Sequence, residues 1–199
     1  MTIRKWFYLF WTTLAIGTVV GILTGLTMQL TDPEAVLSGK AIGFTILSSL
    51  LIGSTISVLS QMGFFAYLIV RHIFMGMIPK KWIWDYVQIF TIIVVLVDLV
   101  YLRYVDSAHE GSFSTYFLLP AFILIVSVVV AYAKVKATNT SAWIPTLFFM
   151  IVLSTLEAIP ALRLGKTAST IFMVIPLLAC NAWQILILHK VLNTNKEPQ

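Results

Sequence analysis

Six separate runs of largely apolar residues dictate what this chain can become. They cover residues 6–30, 41–70, 83–105, 115–133, 143–162 and 170–188. A helix needs about 20 such residues to cross the hydrocarbon core of a bilayer. Within lipid every backbone N–H and C=O must find a partner inside the protein, which leaves only helices and closed barrels. A barrel strand alternates apolar and polar residues over about ten positions. Runs such as IIVVLV at 92–97 and FILIV at 122–126 do not alternate. The chain therefore reads as all-α: one integral membrane domain over residues 1–199, a polytopic bundle of six transmembrane helices.

Composition closes off the soluble alternatives. Apolar residues make up 59% of the 199, charged residues 11%, and mean hydropathy is +0.96. A soluble domain is about half apolar and about one quarter charged, and a chain of this size has too little interior to hide the excess. The opening Met1-Thr-Ile-Arg-Lys5 followed by a long apolar run is too long for a signal-peptide core of about 7–15 residues, so it reads as a retained first helix.

The net charge of +5 points to membrane orientation rather than nucleic acid, because the bases sit in short connections between runs. Nine of the 13 fall on one side: Arg4, Lys5, Arg71, Lys80, Lys81, Lys134, Lys136, Lys190 and Lys196. Lys40, Arg103, Arg163 and Lys166 fall on the other, together with Asp32, Glu34, Asp106 and Glu110. The bias toward bases on the inside predicts that both termini are cytoplasmic, with the bilayer as the first partner.

No reaction emerges from the sequence. Metalloprotease, phosphate-loop and nucleophile-elbow motifs are missing, and His72, His109 and His189 fall at span ends or connections on different sides, so they cannot share a metal. The lone Cys180 can form no internal disulfide and reads as a buried small residue. The expectation is a protein that is not an enzyme and carries no cofactor or metal.

Two helical stripes suggest close packing. Gly17, Gly21 and Gly25 recur every four residues in the first run, and Ser49, Gly53, Ser57 and Gln61 do so in the second. Small residues at this spacing let backbones approach when lipid removes the hydrophobic drive. The spacing predicts that the stripes face each other; a docking face for another membrane protein is the alternative.

Two carboxylates fall inside spans. Asp98 and Glu157 are each about two thirds of the way along runs of the same direction, hence at similar depth. Such residues are costly in lipid and face an interior or a watery cavity. They suggest a polar pocket for a cation or small ligand; the structural alternative pairs Asp98 with Tyr101 or a hydroxyl, and Glu157 with Arg163 or Arg103. Asn181 and Gln184 share a face of the last run, and with Gln61 suggest an inter-helix hydrogen-bonded layer. The segment 71–84 (RHIFMGMIPKKWIW) reads as a connection lying on the membrane surface or offering a docking face.

The stretch 56–68 (ISVLSQMGFFAYL), with Ser57, Gln61, Gly63, Phe64 and Phe65, resembles the second-span signature of the KinB-signalling pathway activation protein family, KbaA. The Arg-Lys-Trp opening, Trp84-Asp-Tyr-Val-Gln88 and Leu178-Ala-Cys-Asn-Ala-Trp-Gln184 are compatible with it. The resemblance implies a small multi-pass membrane protein of spore-forming bacilli. It would be a non-enzymatic accessory through which a KinB-like sensor histidine kinase feeds the sporulation phosphorelay. It implies no catalytic residue. With no room for a kinase or receiver domain, signalling would pass through a partner, contacted by the glycine face, by 61–68 or by 71–84. A small transporter or ligand-binding membrane protein using Asp98 and Glu157 is the competing reading.

Overall fold

A computed structural model describes residues 3–32, 38–77, 80–106, 113–164 and 166–193. Glu34, His109, Glu110 and Lys196, assigned above to connections or the tail, lie outside the described residues. The described chain is all-helical: α1 (Ile3–Thr31), α2 (Gly39–Met77), α3 (Lys81–Asp106), α4 (Phe113–Ala137), α5 (Trp143–Phe148), α6 (Ser154–Leu162) and α7 (Thr167–Asn193). A 3-10 turn (Thr140–Ala142) precedes α5, and a π-helical turn (Phe149–Leu153) joins α5 to α6 into one span. Six helices are thus long and apolar enough to cross a membrane.

Two charged segments read as connections are helical. Residues 71–77 extend α2 to 39 residues, about 58 Å of helix, well beyond the hydrocarbon core. Lys134 and Lys136 belong to the last turn of α4. Bases at a helix C-terminus complement its unpaired carbonyls, so charge alone did not end either helix. Phe74 in the α2 extension stacks on Trp84 at 4.8 Å between ring centroids.

α1, α2 and α7 form the tightest unit. α1 and α2 run antiparallel with their small-residue stripes in contact: a methyl group on Gly17 would lie 2.6 Å from Ser57 Cβ, and one on Gly21 2.8 Å from Gly53 Cα. Further along, Gly25 meets Ser49, and Thr18 and Ser54 share a hydroxyl hydrogen bond of 2.9 Å. α7 runs antiparallel to α1 and shares the glycine face with α2, Gly17 meeting both Ser57 and Cys180; Trp183 Nε1 donates to Thr12 Oγ1 at 3.1 Å and Cys180 is buried against Thr13. The start of α1 therefore lies beside the end of α7.

Phe64, Leu99, Ile123, Phe149, Met150 and Leu177 are among the fully buried side chains. The outer surface is apolar too: Phe44 is 73% and Leu118 72% exposed. That inversion suits a lipid solvent, since helix association there depends on packing and hydrogen bonds rather than on hiding apolar surface.

Candidate functional site

A polar layer crosses the interior where α2, α6 and α7 meet. Gln184 Nε2 donates to Ser60 Oγ at 3.0 Å, and Ser60 Oγ donates to Asn181 Oδ1 at 2.7 Å. Asn181 Nδ2 then donates to Ser154 Oγ at 2.9 Å and to Glu157 Oε2 at 3.3 Å. The donors run in one direction and end on the Glu157 carboxylate. All five side chains are buried, Glu157 the least at 9% exposure.

Local structure explains how they converge. Ser154 and Glu157, three apart, share a face of α6, as do Asn181 and Gln184 on α7. The π turn immediately before Ser154 shifts the phase of the fifth span, and such turns occur often at functional sites. Room for the carboxylate comes from Gly63, whose missing side chain would collide with Glu157 Oε1. The layer leaves acceptors over: the Oε1 atoms of Glu157 and Gln184 are buried without a hydrogen-bond partner, as is that of Gln61 beside the layer.

The sequence reading grouped Gln61 with Asn181 and Gln184, but Ser60 makes those contacts, while Gln61 Nε2 reaches Ser57 of its own helix at 3.4 Å. Neighbouring residues on a helix point about 100° apart, and both are polar, so periodicity could not choose between them. Glu157 is bonded by Asn181 rather than by Arg163, which is exposed. Ser154 and the π turn had no sequence signal.

Gly17, Gly21 and Gly25 are buried against α2, so their face is occupied within the chain. Phe64 is buried, edge-on to Phe149 at 5.6 Å, and Phe65 packs on Trp6 at 4.9 Å. Asp98 is set apart from all of these. It is exposed on α3, with no hydrogen bond or ion pair to any described residue. Its helix turns Leu99 into the core, and beside it Val97 and Tyr101 are 65% and 61% exposed. The two carboxylates within the apolar helices thus have opposite surroundings.

The family described as KinB-signalling pathway activation in sporulation matches this sequence over residues 17–191. The chain belongs to that family, KbaA. A KbaA relative named KinB-signaling pathway activation protein, from Bacillus subtilis (strain 168), is 34% identical over 185 residues, covering 91% of this chain and 93% of its own. No solved structure matches.

Proposed function

We propose that this chain is a non-enzymatic, multi-pass protein of the bacterial cytoplasmic membrane, with both termini inside. It would activate the KinB signalling pathway of sporulation by packing against the membrane region of a KinB-type sensor histidine kinase. Family membership and the 34% identical relative support the pathway. The apolar helices and the adjacency of the start of α1 to the end of α7 support the topology. An accessory of this kind acts by binding one state of its partner better than another, which shifts their populations.

Asp98 is the observation that carries the reading. It is seven residues from the end of the Trp82–Val105 span, about 10 Å along the helix, farther than a short carboxylate reaches. Facing lipid there costs roughly 2.5–3.5 kcal/mol on insertion scales. Two copies paired through this face about a two-fold axis along the membrane normal would bring their Asp98 carboxylates to the same depth in one interface. A foreign helix carrying a base at that depth relieves both problems. Beside Asp98 an apolar cleft of about 780 Å³ between α3 and α4, lined by Val97, Tyr101, Phe117, Pro120 and Leu124, offers it a seat.

The test is Asp98→Arg in sporulating cells with a tagged kinase. The expected result is at least a tenfold loss of kinase co-purification and pathway output, with this protein's membrane level unchanged. Wild-type co-purification by Asp98→Arg would remove the contact face. Failure of the unmutated protein to recover a kinase, with a deletion that leaves output intact, would remove the function.

The unpartnered Oε1 atoms of Glu157 and Gln184 in the polar layer favour a second reading, a small ligand-binding or transport protein working through Glu157. It requires flux in proteoliposomes that Glu157→Gln abolishes.

A further inference from the structure

A second cavity opens where α2, α4, the 3-10 turn and α7 come together at one end of the bundle. It encloses about 310 Å³, and its lining includes Tyr67, Arg71, Lys134, Asn139, Ser141 and His189. Two cations and a histidine meet there, and no carboxylate is among the lining residues. Lys134 is the unusual member. It is 6% exposed, and its ammonium donates to the Ile185 carbonyl at 2.5 Å, which leaves two N–H groups to satisfy. Arg71 is close enough to act on Lys134 by like-charge repulsion, and among the described residues it has no carboxylate partner. Asp85, half-buried, lines the neighbouring cleft with Ser141 and Trp143 rather than this one, and Lys136 is turned away over the Tyr132 ring.

Buried charges are paired or they are costly. Two cations converging on a small cavity with no anion among the described residues describe half of an ion pair. The remaining donors suit an oxyanion: the Asn139 amide, and the Tyr67 hydroxyl, whose bond to the Pro145 carbonyl is long at 3.4 Å. Depth narrows the choice. Arg71 follows directly on the apolar run 41–70, and Lys134 is three residues from the end of the Tyr116–Ala137 span, so both stand at the level of the lipid head groups. Basic pockets between helices at this level bind phospholipid head groups, and the volume is at the small end of ligand sites of about 300–1,000 Å³.

We propose that this cavity is a phosphate-binding site in which Arg71 and Lys134 hold a phosphate-bearing anion, either the phosphodiester of an anionic phospholipid or free inorganic phosphate. The site joins α2, α4 and α7 through one ligand, so its occupancy stabilises the fold. The inference needs a membrane but does not rest on the kinase reading.

The test uses the purified full chain in a neutral detergent, with its melting temperature followed during titration. Separate arms add phosphatidylglycerol, phosphatidylcholine and inorganic phosphate. The expected result is a saturable rise with phosphatidylglycerol, absent with phosphatidylcholine, whose apparent affinity falls at least tenfold in Arg71→Gln and in Lys134→Gln. A rise with inorganic phosphate that the same variants weaken assigns the site to free phosphate. Should Lys134→Gln fail to fold, Arg71→Gln, whose side chain is only half-buried, decides alone. No rise in either anionic arm, or a rise that Arg71→Gln leaves unchanged, overturns the proposal.

Discussion

Gly63 lies flush against Glu157: a methyl group at position 63 would collide with Oε1 and stand 2.8 Å from the carboxyl carbon. A glycine on one helix thus shapes the seat of a buried carboxylate on another. Gly63→Ala should push Glu157 off Asn181 and destabilise the chain by about 1–3 kcal/mol, the usual cost of overpacking. Thermal unfolding in detergent reads the loss. Because both residues share one space, Gly63→Ala combined with Glu157→Ala should be less destabilised than the sum of the single changes. Strict additivity would mean that the contact has no energetic weight.

Asn181 is the hub of the layer, bonded to Ser60, Ser154 and Glu157. Asn181→Leu keeps the forked skeleton but strands all three partners. Leaving buried polar groups unsatisfied costs roughly 1–3 kcal/mol, against an average of about 0.6 kcal/mol for one interhelical hydrogen bond in a membrane protein. Asn181→Leu should therefore lower the melting temperature more than Ser154→Ala does. Equal shifts would argue that the layer is no network.

The small-residue stripes give a contrast within one chain. Gly21→Leu must separate α1 from α2, since even a methyl group meets Gly53 Cα at 2.8 Å, whereas Gly43 has nothing within 4 Å of its added methyl. Gly21→Leu should deplete folded protein in membranes severalfold and Gly43→Leu should not, as quantified by immunoblotting of washed membranes and by detergent-resistant monodispersity.

Which of these features could be read in advance follows from the range of the interactions. The six spans depend on continuous apolar runs and the glycine stripes on residues four apart, and both are visible in a linear chain. The seat of Glu157 depends on Asn181, 24 residues on, on Gly63 in another helix, and on a π turn that rephases Ser154. Lys134 misled for a different reason. Its charge suggests a loop, yet α4 continues past it and its stem runs into the interior to reach the Ile185 carbonyl. A long side chain can bury its carbons and carry its ammonium elsewhere, so charge in a sequence marks composition but not position.

The length of α2 yields a topological prediction. Its last two turns, through Met77, extend past the apolar run ending at residue 70, and Met75 and Met77 are 55% and 73% exposed. The opposite end of the helix carries Lys40, which is also exposed. The native Cys180 is buried, so it contributes little background to thiol labelling. A membrane-impermeant maleimide added to intact cells should label Lys40→Cys and spare Met77→Cys; permeabilised cells should label both. The excess of bases at the Met77 end is the ground for expecting that order, because connections rich in Lys and Arg favour the cytoplasmic side. Labelling of Met77→Cys in intact cells would invert the orientation and move the Arg71–Lys134 cavity to the outer leaflet.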